Sequence, residues 1–238
     1  NMTNLKNLSS SLKNFRLLDF KENRGRSIIR NTLASEAKYE KLLFIDSDMQ
    51  VYKDDFIELY IKENSPIVAG GIKVLEDKNP NYILHKKYER ARSTNIATTQ
   101  NLLVRKDVFN EIRFIENVKK YGYEDIIFSH RLDKMYGIKF IYNPLIHNGP
   151  IHTDDFIKRI GESTETLIEL YKNDKYHKDI IESSKLLRAY LKIKRIKGLY
   201  VLGFKMIKKV LVKQLKSKNP NMFIMDIYKL GILCEHLN

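Results

Sequence analysis

The chain has 238 residues, 43% of them hydrophobic, enough for one sizeable α/β core with an appendage. Ten Gly and five Pro exclude a fibrous or low-complexity chain, and a single cysteine, Cys234, excludes a disulfide framework and a Cys-rich metal site. The formal charge of +14 is concentrated: Lys185 to Lys218 holds twelve Lys and Arg and no Asp or Glu, so the rest of the chain is nearly balanced. Balanced body and basic tail point to two tasks, chemistry in one and surface attachment in the other. There is no secretory leader pattern, and no apolar run approaches the roughly 20 residues that cross a bilayer. The expected location is cytoplasmic, peripheral on the inner face of the plasma membrane.

In chain order, residues 15–20 read as a short strand, and residues 25–38 as a helix with Ile29, Leu33 and Ala37 on one face. Lys41 to Asp46 is an apolar run ending in carboxylates, the pattern of a buried parallel strand that delivers side chains to a site. Asp54 and Asp55 open a helix through Ile61, and 66–74 is a strand in which Gly70 and Gly71 mark a bend or a close backbone approach. Residues 81–98 read as helix plus mobile loop. A strand over 100–104, a helix over 106–111, a helix over 124–135 and a strand over 138–142 follow, and from Asp154 onward only helical signals remain. The predicted division is a catalytic domain over 1–175 and a basic helical extension over 176–238. In that extension Phe204, Ile207, Val210, Leu211 and Leu215 share one predicted helical face, and Lys205, Lys208, Lys209, Lys213 and Lys216 the other.

Four constellations carry chemistry. Asp46-Ser47-Asp48 follows the strand and suits Mg²⁺ or Mn²⁺ bridging phosphates, although 29 acidic residues in 238 give such spacing roughly 3.5 times by chance. A solvated turn capping the next helix is the bland alternative. Gly122-Tyr123-Glu124-Asp125 enters a helix; its carboxylates suit a helix N-terminus, and beside Tyr121 and Tyr123 they also suit sugar binding and proton abstraction. His147 follows a strand and pairs with Asp48 as a mixed oxygen and nitrogen metal site, with His152 the rival. Arg26 and Arg30, four apart after Asn23 and Gly25, project from one side of a helix and can grip a diphosphate, or form a solvated basic face.

Taken in order over about residues 14–172, these segments resemble the family 2 glycosyltransferases, in particular those that build bacterial surface polysaccharides. Asn23, Gly25, Arg30 and Asn31 match the family's Asn-x-Gly and Arg-Asn, Asp46 and Asp48 its Asp-x-Asp, and Glu124-Asp125 its Glu-Asp pair. The resemblance implies a GT-A fold, a Rossmann-like mixed sheet followed here by a helical segment, and an inverting, metal-dependent transferase. Its donor is a nucleotide-sugar, UDP-linked by analogy, and its acceptor a glycan or lipid-linked hydroxyl. By the same resemblance Asp125 is the base with Glu124 beside it, and Tyr121, Tyr123 and Glu124 meet the acceptor. Asn23, Arg26, Arg30, Asp46 and Ser47 hold the donor, and Asp48, His147 and Asp46 hold Mn²⁺ or Mg²⁺. Tyr stands where relatives often carry Trp, and the family's opening strands are not found, so the chain is expected to lack them. Phe44-Ile45-Asp46-Ser47-Asp48 also resembles the nucleophile motif of haloacid-dehalogenase-like phosphatases, with Asp46 as nucleophile. A non-catalytic basic module is the third reading: the tail's apolar face favours an anionic membrane through 185–218 over nucleic acid.

Overall fold

The computed structural model describes residues 2–75, 79–92, 97–116 and 122–237. Helices α1 (Met2–Ser11) and α2 (Arg26–Glu36) precede the strand β1 (Lys41–Ile45), which runs through a tight turn into β2 (Met49–Gln50). After α3 (Phe56–Ile61) come β3 (Ile67–Ala69), β4 (Ile72–Lys73), α4 (Ile83–Arg90), β5 (Asn101–Arg105) and α5 (Lys106–Glu111). The body closes with α6 (Glu124–Tyr136), β6 (Lys139–Phe140) and β7 (Leu145–His147). Five helices follow: α7 (Thr153–Lys172), α8 (His177–Ser183), α9 (Lys185–Ile193), α10 (Lys197–Leu215) and α11 (Met222–His236).

Two mixed sheets form, in the orders β1-β5-β3-β6 and β2-β7-β4. Side chains alternate across the larger one, as a two-residue period requires. Leu42, Ile67, Ala69, Leu102 and Val104 pack on Ala34 of α2, Phe109 of α5 and Phe128 of α6. Val68 and Leu103 face the other way, onto Phe56 and Tyr60 of α3 and Leu145 of β7. The bend expected at Gly70-Gly71 carries the chain from one sheet into the other. Gly71 has φ 77, and a Cβ on Gly70 would run into Tyr60 Oη and Asn101 Nδ2. That crowding is polar and buried: Tyr60 donates to Asn101 Oδ1 at 2.5 Å, and Asn101 Nδ2 donates to the carbonyls of Gly71 and Asn143, each at 2.8 Å.

Several expectations change. Residues 15–20 have no regular structure; Arg16 reaches instead to the carbonyl of Glu36 at the end of α2. The strand ending at Asp46 is antiparallel to β5, not parallel, and only Leu42 in it is buried, with Ile45 41% exposed. In α2 the buried side is Ser27, Arg30, Asn31 and Ala34, while Leu33 faces out. The polar side wins because Asn31 bonds both the amide and the carbonyl of Phe114 and also Glu116, tying the helix to the far edge of the core. The strand over 138–142 shrinks to β6. Helix α1 and strand β7 carry no signal that the periodicity reading picked up.

Helices α7 to α11 pack into two further cores. One joins Ile127 of α6 to Leu167, Ile180, Leu187 and Leu233; the other joins Leu84 of α4 to Phe156, Phe204, Leu215 and Met225. In α10 only Phe204, Leu211 and Leu215 are buried, and Ile207 and Val210, expected on the same face, are exposed. The Phe204 ring lies directly on Gly231 of α11. Helix α4 docks on α7 through His85, whose ring meets Phe156 edge-on at 4.7 Å and whose Nδ1 accepts the amide of Ile151 at 3.3 Å. An accepting Nδ1 is a neutral imidazole. Burial drives the His85 pKa down to about 4, against the pull of Glu89 and helped by His147 and Arg159.

Gly231→Ala puts a methyl into the Phe204 ring and separates α10 from α11; the expected cost is about 1–3 kcal/mol, read from the denaturant midpoint, and an unchanged midpoint refutes the close packing. For His85 the folded pKa lies below the ordinary 6.5, so the unfolded chain takes up the proton first as pH falls. Its contribution is full above pH 6.5 and lost on descent towards 4, by roughly 3 kcal/mol. The difference in unfolding free energy between the wild type and His85→Gln should therefore shrink over that interval; a constant difference contradicts it.

Candidate functional site

The turn after β1 sets the site. Met49 N bonds Asp46 O at 3.1 Å, closing the turn, and β2 then pairs with β7 so that Met49 lies opposite His147. Asn148 N bonds Asp48 O at 2.9 Å. This register places His147 Nε2 3.3 Å from Asp48 Oδ2, with the His147 side chain buried and that of Asp48 half exposed. Gly149 lies against both: a Cβ there would sit 3.0 Å from Asp48 Oδ2 and 3.2 Å from His147 Nε2.

Behind them stands Glu89 of α4, which the sequence reading did not single out. Its Oε1 is 2.6 Å from His147 Nδ1. Its other oxygen is 3.5 Å from His85. Burial works against charge on His147, but Glu89 and Asp48 together outweigh it and raise its pKa. A carboxylate behind a histidine that faces a second carboxylate sets the orientation of the ring.

Asp46 is placed differently. Its Oδ1 accepts from Arg30 Nη2 at 2.8 Å, and the Arg30 guanidinium also lies over the Phe114 ring, 5.3 Å from its centroid. Arg30 is 8% exposed, so this ion pair is largely shielded from water.

The Glu124-Asp125 pair enters from α6. Tyr123, at φ 68, is the one described non-glycine residue with a left-handed backbone, and it turns the chain so that both carboxylates start the helix. Glu124 accepts the amide of Gly122 at 3.0 Å and is 5% exposed. Burial first and Asp125 second raise its pKa, against Arg26 and Arg30.

These residues meet. A single cleft of about 710 Å³ is lined by Arg26, Arg30, Asp46, Asp48, Glu124, Asp125, His147 and His152. Asn23 and Ser47 lie outside it: Asn23 Oδ1 accepts the Gly25 amide in the exposed turn before α2, and Ser47 faces solvent. His152 caps α7, accepting the Asp154 amide at 3.3 Å, and makes no described contact with Asp48. Tyr123, expected as an acceptor platform, is 8% exposed, packs with Ile115, Ile127 and Leu167, and borders the smaller recess beside Asp125 instead of the main cleft. Tyr121 lies outside the described residues.

The aromatic rings that do line the cleft are Tyr82 and Tyr88. Tyr88 Oη takes a hydrogen bond from Arg92 at 2.7 Å, and Lys229 of α11 stands 5.3 Å over its ring. Burial alone would raise the Tyr88 phenol, but Lys229 and Arg92 prevail and hold it below its ordinary value. Sequence reasoning missed this group because 82–92 reads as an ordinary charged helix. The only available signals were the four-residue spacings of His85 to Glu89 and Tyr88 to Arg92.

A search of curated protein sequences returns no match. Solved structures of TarS from S. aureus are similar over most of this chain. The 1–349 piece matches at 15% identity and a TM-score of 0.46, covering 97% of this chain and 77% of that one. A longer TarS structure matches at 14% and 0.46, with 97% and 46% covered. The 1–349 piece in complex with UDP matches at 14% and 0.45, with 97% and 77% covered. These are loose likenesses. The sequence model of "Glycosyl transferase family 2" matches residues 3–126, more than half of the chain. The mixed α/β architecture with its helical C-terminal part is accordingly a GT-A fold, the phosphatase reading of Asp46 gives way, and the chain belongs to the family 2 glycosyltransferases.

Proposed function

We propose that the chain moves a sugar from a nucleotide-sugar donor, UDP-linked by family analogy, to a hydroxyl of a glycan or lipid-linked acceptor in surface polysaccharide synthesis, with inversion at the anomeric carbon. The observation that carries this reading is that Asp48, from the turn after β1, and Asp125, from the start of α6, open onto one cleft. We further propose residues 1–175 as the catalytic domain and 176–238 as its extension, with Lys229 of the extension reaching the recess beside Asp125.

Asp125 accepts the proton of the acceptor hydroxyl as that oxygen forms its bond to the anomeric carbon from the face opposite the diphosphate. The bond from that carbon to the diphosphate oxygen breaks, and its electron pair leaves with the diphosphate. Glu124, kept more protonated by burial, orients the acceptor beside Asp125. Arg26 and Arg30 face the donor's phosphates, and Asp46 fixes the Arg30 fork that meets them. Tyr82 and Tyr88, rather than Tyr123, offer the rings on which a sugar can lie.

The residues present fit a hard divalent cation. Asp48 supplies an oxygen and His147 a nitrogen 3.3 Å away, with Glu89 aligning the imidazole. No group of three or more His, Cys, Asp or Glu among the described residues is arranged to hold a metal, so Asp48 and His147 would hold the ion only together with phosphate oxygens and water. Mn²⁺ or Mg²⁺ bound there would offset the charge that develops on the leaving diphosphate.

Asp125→Asn is expected to lower transfer roughly 10²–10⁴-fold while leaving UDP binding by calorimetry unchanged; turnover at the wild-type rate removes Asp125 as the base. Glu89→Gln should weaken Mn²⁺-dependent UDP binding about 10–100-fold with little effect on the UDP binding measured in the absence of Mn²⁺. An equal loss with and without metal would mean that Glu89 supports the fold and not the imidazole.

A further inference from the structure

The basic segment from Lys185 to Lys218 has two kinds of apolar residue. Phe204, Leu211 and Leu215 turn inward and are consumed by packing on α11 and α7. A second stripe turns outward. Leu199, Leu202, Met206 and Val210 are 73%, 60%, 79% and 66% exposed, and at 3.6 residues per turn their spacings of three and four hold them on one face for three turns of α10. Propensity does not require large apolar side chains there, and a folded chain gains nothing by leaving four of them in water. Exposed Lys205, Lys209 and Lys213 lie among and beside this stripe, and no carboxylate occurs between Lys185 and Lys218.

We propose that this outward face of α10 lies in the headgroup region of an anionic lipid bilayer, with Leu199, Leu202, Met206 and Val210 inserted and the lysines on the lipid phosphates. Two facts select lipid among possible occupants. The cations stand on the same exposed side as the apolar stripe, whereas duplex nucleic acid would meet the lysines and leave the stripe wet. Second, no described helix is long and apolar enough to cross a membrane, so contact is by lying in the interface and not by spanning. The opposite side of α10 is clamped to α11 through Phe204 on Gly231, so the helix enters the interface already folded and without an ordering cost.

The test uses the full chain and sedimenting vesicles of phosphatidylcholine alone or mixed with phosphatidylglycerol, with no donor or acceptor, so its outcome is independent of the transfer chemistry. Wild type should bind the mixed vesicles and not the neutral ones. Lys205→Gln/Lys209→Gln/Lys213→Gln should weaken that binding roughly hundredfold, at about fivefold per lysine. Met206→Ser/Val210→Ser should leave bound protein that is released by moderate salt, while both variants keep the wild-type unfolding midpoint because every substituted side chain is exposed. Absence of wild-type binding overturns the proposal. So does duplex DNA retention in matched salt without vesicle binding, or a dimer that disappears in Met206→Ser/Val210→Ser while vesicle binding is unaffected.

Discussion

Two residue pairs between β2 and β7 organise the site. Met49 opposite His147 and Gln50 opposite Ile146 are a very short ladder, yet they decide that a turn at residues 46–48 faces a histidine 99 positions later in the chain. A register slip of one residue would turn His147 to the other side of its strand and leave Asp48 facing solvent. The ladder is held from three sides. The Asp48 carbonyl takes the Asn148 amide, β7 is also paired with β4, and Leu145 is fully buried against the larger sheet. Gly149 then lets the chain pass close to both side chains, where a methyl would press on each.

Around that ladder the carboxylates are sorted by environment. Asp46 is neutralised by Arg30 in a shielded pair, Asp48 stays half exposed towards an imidazole, and Glu124 is buried next to Asp125. Carboxylates gathered in one cleft would repel one another if all were left alone. Asp46 is partnered with arginine, Asp48 faces histidine, and burial first and Asp125 second raise the pKa of Glu124. Glu89 serves two histidines from behind. His85 stays neutral despite it because burial and the amide of Ile151 favour the uncharged ring.

The C-terminal helices are more than an addendum to this cleft. The core that includes Tyr123 and Ile127, immediately beside the Glu124-Asp125 pair, is completed by Leu187, Leu233 and Leu237, so the backbone that presents these carboxylates leans on α9 and α11. Lys229 arrives from α11 and stands over the Tyr88 ring, whose hydroxyl takes a hydrogen bond from Arg92. Helix α10 stands between this support and the outside, with Phe204 in the core and Met206, two residues on, 79% exposed.

Local pattern was legible where one periodicity ruled. The strand ending at Asp46, the helices after Lys106 and Glu124, the Gly70-Gly71 bend and the charge asymmetry of the tail all follow from short-range chemistry: alternation, capping, steric freedom and counted charge. Asp46, Asp48, Glu124 and Asp125 could be named because they sit at marked element boundaries and match the family's motifs, whereas His147 ends β7, a strand that periodicity does not mark. What tertiary structure alone decided is which faces were used. Leu33 yielded the core side of α2 to Asn31, Tyr123 went inward while Tyr82 and Tyr88 came to the cleft, and Val210 and Phe204 parted to opposite sides of one helix. Each outcome depends on a partner far away in sequence, Phe114, Leu167 or Gly231, and the free energy of burial belongs to the pair and cannot be read from either residue alone.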